Sequence, residues 1–374
     1  MKANNKKKIF ITSIVGARPN FIKIAPIISE MKKHPSIKSR LIHTGQHHDY
    51  VLSELFFKEL SIREPDIYLG TGSSSHAVQT GNIMTALEKV FTKSKPDLVL
   101  VVGDVNSTLA AVLTCSKMGI PTAHIEAGLR SRDPLMPEEV NRVITDRLSE
   151  YLFTTSIDAN VNLVKEGIEK NKIFFTGNVM IDTLLKLLPR AKKYDAQLAR
   201  FGVKKEAYVL LTLHRPSNVD NKETFLRIIR ALDEISKHLP IIFPIHPRTE
   251  KNIELFGLKR YFKSANIKLI KPIGYLKNLN LMLNSKFVLT DSGGIQEETT
   301  VLKKPCLTLR ENTERPVTET IGSNTIVGTN TKKILKEFDK IMSGKYKKGK
   351  IPKYWDGRSS ERIVKILKSK LLDR

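Results

Sequence analysis

Two periods govern the placement of apolar residues along this chain. Apolar-rich runs read as buried strands at 8–15, 39–44, 97–102, 121–125, 151–155 and 173–176, and again at 208–213, 241–245, 268–270, 287–289, 306–309 and 325–327. Between them, apolar residues return at the three- or four-residue spacing of a helix with one buried face. Ile24, Ile27, Ile28 and Met31 line up in this way over 21–33. Helices are also expected over 51–60, from the Gly/Ser loop 70–76 through Val90, after Asp104 through Met118, over 137–148, over 223–238 and over 360–371. In 137–148 the apolar face is Val140, Val143, Ile144 and Leu148, and Pro137 takes the first helical position. Strands alternating with helices predict parallel, doubly wound α/β sheets.

At 374 residues the chain is long enough for about two domains, each with its own core. A Lys/Arg-rich stretch at 184–207, with Pro189 and Gly202, marks the junction. The reading is a first domain over 1–186 and a second over 187–355, with a helix in 356–374 crossing back onto the first.

Composition narrows the class. Hydrophobic residues at 40% and charged residues at 27% describe a globular chain. Both cysteines, Cys115 and Cys306, lie in apolar segments, as buried thiols of a reducing, cytoplasmic compartment do. The start MKANNKKKIFITSIVGA imitates a signal peptide, but its apolar run is short and leads directly into a polar loop, so it reads as the first strand. No apolar stretch is long enough to span a membrane. The net charge is +25, and residues 332–374 hold 15 Lys/Arg against 5 Asp/Glu. Without a nucleic-acid motif or regularly interleaved aromatics, this tail reads as a solvated basic surface that steers anionic substrates, and no nucleic-acid partner is expected. Gly344–Lys350 (GKYKKGK) imitates a P-loop, but Ile351 stands where a magnesium-binding Ser or Thr belongs and no strand precedes it.

Candidate chemistry clusters just past the strands. Arg18, Gln46, Asp104, Glu126, His214, His246 and Asp291 each follow a strand, at the end where open α/β sheets bind ligands. Two such sheets facing each other would gather these residues around one interdomain cleft. In SKFVLTDSGGIQEETTVLKKPCLTL a strand ends at Asp291, a turn of Ser292, Gly293 and Gly294 follows, and a helix begins. Its free amides suit a phosphate, and Glu298, beside the inward stripe, suits a sugar diol. The plainer account is a Ser N-cap with a first-turn glutamate. Arg18 and Lys23 bracket the first strand-to-helix loop as a cation pair suited to a diphosphate. Asp104 also reads as a helix N-cap, Glu126 as a neighbour of Arg130 in a structural ion pair, and Glu138 as the partner of Arg142 one turn on. His214 and His246 also fit core or capping roles. No HExxH or Cys-x-x-Cys pattern supports a metal.

Nine motifs in order, GARPNFIKIAPII, TGQHHDYVLSELFF, VVGDVNSTLAA, HIEAGLRS with MPEEVNR, TGNVMIDTL, TLHRPSNVD, PIHPRT, DSGGIQEE and TERP, resemble the non-hydrolysing UDP-N-acetylglucosamine 2-epimerases from about Ile9 to Leu367. The resemblance implies a GT-B architecture of two Rossmann-like domains, a UDP-sugar partner, commonly a homodimer, and no cofactor. It implies catalytic roles for Asp104, Glu126, Glu138 and His214, with Arg18 and Lys23 contributing to the site. Ser292, Gly293 and Gly294 would hold the diphosphate, Glu298 the ribose, and Arg315 of TERP would complete the nucleotide side. The implied reaction is C2 epimerisation through loss and re-addition of UDP, for surface polysaccharide or glycan synthesis. Epimerisation of a UDP-2,3-diacetamido uronic acid and GT-B glycosyl transfer are the alternatives. Asn20, Gln46-His47-His48 and Trp355 depart from the common pattern. The GARPN turn lacks the GxGxxG fingerprint, so no nicotinamide is expected.

Overall fold

The computed structural model describes residues 8–46, 59–60, 62–264 and 266–372. His47, His48 and most of the helix expected over 51–60 lie outside the described residues.

Among the described residues, thirteen strands form two sheets. One has seven strands in the order β3-β2-β1-β4-β5-β6-β7 and the other has six in the order β10-β9-β8-β11-β12-β13. The first comprises β1 (Ile9–Val15), β2 (Ile37–His43), β3 (Ile67–Tyr68), β4 (Leu98–Val102), β5 (Thr122–Ala127), β6 (Tyr151–Thr154) and β7 (Ile173–Phe175). The second comprises β8 (Val209–Thr212), β9 (Ile241–Pro244), β10 (Ile267–Ile270), β11 (Phe287–Thr290), β12 (Cys306–Thr308) and β13 (Asn324–Ile326). Every pairing is parallel. Helices cover such sheets on both faces, which is why central strands such as Leu98–Val102 are buried throughout and read as continuous apolar runs. The two-residue β3 was not expected, because Ile67–Tyr68 is too short to stand out as a run.

The chain divides into two units, Met1–Thr183 with Lys353–Arg374, and Leu184–Pro352. The boundary falls inside the helix Val179–Ala191. In the first unit, the helix Ser359–Leu372 packs on the helix Arg18–Met31. Asp182 accepts from the backbone N–H of Ser359 at 3.1 Å and of Ser360 at 2.7 Å, satisfying amides at the start of that last helix. Trp355 is buried and its Nε1 donates to Thr155 O at 2.9 Å. The second unit has its main core around Phe225, Phe243, Phe287 and Phe338. No helix among the described residues is long and apolar enough to cross a membrane.

Candidate active site

Strand order reverses direction beside β1 and β4 in the first sheet, and beside β8 and β11 in the second. These are the switch points where the carboxyl ends of adjacent strands part and leave room for a ligand.

At the first switch point, Asn20 ties the loop after β1 to the end of β4. Its Oδ1 accepts from Gly16 N at 3.2 Å and Ala17 N at 3.0 Å, and its Nδ2 donates to Val102 O at 2.9 Å. Arg18 opens the helix that follows. Lys23, one turn along, is ion-paired with Glu126, and both are buried. Glu126 has φ +74°, a conformation that a non-glycine residue holds only when its surroundings dictate it, and the register slips there between Ile125 and Ala127. Lys23 is therefore placed with a carboxylate. The Glu126–Arg130 pair expected from the sequence does not form. Arg130 instead binds Asp146 at 2.7 Å and Glu166 at 2.6 Å.

Asp104 does not cap the next helix, Asn106–Lys117, whose N-cap is Val105. Its carboxylate pairs with Arg142 at 2.5 Å, and Asn141 Nδ2 donates to its backbone O at 2.8 Å. Arg142 also binds Glu139 at 2.6 Å, so the expected Glu138–Arg142 pair is replaced by a Glu139–Arg142–Asp104 chain whose first two members are buried. Glu139 also accepts the backbone N–H of Ser131 and Arg132. Burial alone would raise its carboxyl, but these amides and Arg142 hold it below its ordinary value. Glu138, half-buried, starts the same helix. The apolar face expected for Pro137–Leu148 is not its buried face. Val140, Val143 and Leu148 are exposed, whereas Glu139, Asn141, Arg142, Thr145 and Asp146 are buried. The helix turns its polar side inward because that side feeds the loops that follow β4 and β5.

Behind this layer, His124 is fully buried with Nδ1 2.6 Å from Asp146 Oδ1 and Nε2 2.8 Å from Gly103 O. Burial by itself would lift the Asp146 carboxyl, but His124 and Arg130 outweigh it and hold the group down.

At the second switch point, Asp291 is fully buried and takes the backbone N–H of His214 at 2.8 Å and of Arg215 at 2.7 Å. Asp291 Oδ1 lies 2.9 Å from His214 Nδ1, which fixes the ring and leaves the imidazole partly exposed. Burial pushes Asp291 up, yet His214 and these amides bring it below its ordinary value. His246 is a cap: its Nδ1 accepts from Arg248 N at 3.2 Å.

Ser292, Gly293 and Gly294 open the helix Gly293–Leu302. Ser292 is the N-cap residue, but its side chain makes no capping bond, so the amides of the first turn remain available to an anion. Arg315 lies against this turn. A Cβ on Gly293 would sit 2.5 Å from Arg315 Nη1, so any larger residue would push the guanidinium from its place. Arg315 is held by Glu297 at 3.0 Å and Glu314 at 3.3 Å, and Arg310 grips Glu314 with two bonds of 2.8 Å. Glu298, one turn into the helix, is buried and accepts from Tyr275 Oη at 2.6 Å. Burial raises its carboxyl to about 7; the tyrosine bond opposes this and Glu297 adds to it.

Sequence reasoning missed Asp291 as the orienter of His214, Tyr275 as the partner of Glu298, and the Glu139–Arg142 and Glu297–Arg315 pairs. Only Asp291, directly after a strand, carried a local signal. No group of His, Cys, Asp and Glu suited to a metal occurs among the described residues.

Two parallel α/β sheets, each with charged groups at its switch point, define a doubly wound enzyme of nucleotide-sugar type. The family described as UDP-N-acetylglucosamine 2-epimerase matches residues 29–368, and the chain belongs to it. The chain is 47% identical to the UDP-N-acetylglucosamine 2-epimerase of Methanocaldococcus jannaschii, covering 96% of this chain and 98% of that one. A crystal structure of the M. jannaschii enzyme in complex with UDP-GlcNAc and UDP matches with a TM-score of 0.89, at 46% identity, over 96% of this chain and 99% of that one. The UDP-2,3-diacetamido-2,3-dideoxy-D-glucuronate 2-epimerase of Pseudomonas aeruginosa is 39% identical over 96% of this chain and 99% of its own length.

Proposed function

We propose that this enzyme interconverts UDP-N-acetylglucosamine and UDP-N-acetylmannosamine by inverting C2, through elimination and re-addition of UDP. The C2 proton has no adjacent carbonyl and is barely acidic, so simple deprotonation is too costly. In the proposed route a base takes the C2 proton while the C1–O bond breaks and its electron pair leaves with UDP. The resulting glycal regains UDP at C1 and a proton at C2 from the opposite face. The route needs a base, an acid and firm stabilisation of departing UDP. Asp104, Glu126 and Glu138 are assigned the proton transfers. The Ser292–Gly294 turn and Arg315 are assigned the diphosphate, Glu298 the ribose, and His214, oriented by Asp291, the charge developing on the leaving UDP. Arg18 and Lys23 are assigned to the site of the first unit.

The observation that carries this reading is the pairing of Asp104 with Arg142 and of Glu126 with Lys23 at one switch point. Carboxylates fixed in place by cationic neighbours at the ligand-binding end of the sheet are positioned to exchange protons with a sugar bound there. The substrate follows the 47% identical relative, whose name specifies UDP-N-acetylglucosamine, rather than the 39% identical relative with its uronic acid. The product would supply surface polysaccharide or glycan synthesis, in the cytoplasm.

The test is incubation of the pure protein with UDP-N-acetylglucosamine in deuterated water, followed by NMR. Both UDP-sugar pools should gain deuterium at C2 with no added metal or nicotinamide. Epimer formed with protium retained at C2 rules the route out.

We also propose a homodimer joined through the first unit. Val140, Val143 and Leu148 on one helix, and Ile157, Val161 and Val164 on the helix Ile157–Lys165, leave two apolar stripes exposed. Arg132 of the loop before the first helix bonds Asn162 of the second at 3.0 Å, so the two stripes belong to neighbouring elements. A second copy of the chain covers such a face without needing another partner.

A further inference from the structure

The six-stranded sheet has a second charged end. Where β11, β12 and β13 begin, opposite the end that carries the Ser292–Gly294 turn, lies a cavity of about 640 Å³. Five lysines line it, Lys286, Lys303, Lys304, Lys347 and Lys348, with Glu206 as the one carboxylate among the lining residues. The volume is that of a small-molecule site. Leu302, Pro305 and Ile341 supply an apolar portion of the wall.

The lysines come from three separate segments. Lys286 stands directly before β11, Lys303 and Lys304 end the helix Gly293–Leu302, and Lys347 and Lys348 lie on the loop after the helix Thr331–Met342. That loop is the GKYKKGK stretch that fails as a P-loop, and it is built rather than trailing. The Tyr346 hydroxyl lies 3.0 Å from Cys306 O, 3.0 Å from Ser323 O and 2.8 Å from Thr325 Oγ1. Lys350 N donates to Ile321 O at 2.8 Å. Gly349 is packed so closely that a Cβ would fall 2.4 Å from the backbone of Gly322 and Ser323. Two of the ammonium groups are anchored: Lys347 donates to Glu319 O at 2.6 Å, and Lys304 donates to Ser285 O at 3.0 Å while pairing with Glu206. Lys286, Lys303 and Lys348 make no ion pair among the described residues.

Cations at a helix C-terminus complement its dipole, which accounts for Lys303 and Lys304 but not for Lys286, Lys347 or Lys348. Gathering like charges on one concave surface costs repulsion that a bound anion removes, and a cavity walled by one sign of charge concentrates anions. Ammonium groups act as point-charge partners for phosphate oxygens. We propose that this cavity is a second anion site, taking a small molecule that bears two or more phosphate groups, separate from the nucleotide-binding turn at the other end of the sheet.

The test is calorimetric titration of inorganic tripolyphosphate into the full-length protein loaded with equimolar UDP. Three proteins are compared: the unaltered chain, the triple variant Lys286→Ala, Lys303→Ala, Lys348→Ala, and a charge-matched control, Lys332→Ala, Lys333→Ala, Lys336→Ala, on an exposed helix face. The unaltered chain and the control should each bind tripolyphosphate at one saturable site. The first variant should bind it about tenfold more weakly or worse, a modest loss for three charged contacts, while its UDP affinity and circular dichroism stay unchanged. The absence of a saturable site overturns the proposal. So does equal affinity in all three proteins, or an equal loss in both variants, because either marks general attraction to a basic surface.

Discussion

Lys23 and Glu126 neutralise each other out of reach of water, and one strand away buried Arg142 pairs with the half-buried Asp104. If Asp104, Glu126 and Glu138 exchange the protons, Asp104→Asn, Glu126→Gln and Glu138→Gln should each lower turnover by about two orders of magnitude or more, with UDP affinity far less affected. A near-normal rate for Glu138→Gln would return that residue to the surface. Glu126→Gln should also destabilise the fold by about 3 kcal/mol, because it strands a buried ammonium, and adding Lys23→Met should restore most of that in thermal unfolding. Glu298 sets a pH dependence. Its carboxyl, lifted by burial to about 7 from an ordinary 4.5, binds a proton in the empty protein at pH values where the unfolded chain does not. Its contribution to the stability of the ligand-free protein is therefore fully present below the unfolded value and is lost as pH rises through about 7. Ribose hydroxyls donate to the ionised form, so UDP affinity should climb over the same interval and binding should release protons. Calorimetry in buffers of different ionisation heat reads this directly. An affinity flat with pH, or unchanged in Glu298→Gln, removes Glu298 from the ribose.

At the scale of elements, the strands were legible because parallel strands covered on both faces are unbroken apolar runs, as in β4 and β11. Site positions were legible for a related reason: Asp104, Glu126, His214 and Asp291 are the polar residues reached when those runs end. Partnerships were not legible. Tyr275 meets Glu298, and His214 meets Asp291, only because β8 and β11 are neighbours and the helix Tyr275–Asn284 packs on Gly293–Leu302. The helix Pro137–Leu148 inverted its expected faces because a buried ionic chain outweighed burial of its valines. The turn at Gly293 provides an element-level test. Gly293→Ala presses a methyl into an Arg315 guanidinium that two glutamates prevent from retreating. UDP affinity should fall by about tenfold or more, while the midpoint of unfolding moves little. Full affinity in the alanine variant would mean that the guanidinium is not needed where it lies.

For the whole molecule, the exposed stripes give a test of assembly. Val143→Asp combined with Val161→Asp places a charge on each stripe without touching the buried polar faces. Light scattering should show the proposed dimer for the unaltered chain and a monomer of unchanged secondary structure for the double variant. A double variant that stays dimeric moves the interface elsewhere. The return of Lys353–Arg374 to the first unit bears on how the protein is made. The second unit is one continuous stretch, Leu184–Pro352, and can close as soon as it has left the ribosome. The first unit begins earlier but finishes later, since the seat of Trp355 at Thr155 and the two serine amides that Asp182 serves are supplied by residues made after the second unit. The helix bearing Lys23 therefore waits, with one flank uncovered, until residues 353–374 have been made, so the half of the enzyme assigned the proton chemistry matures after the other.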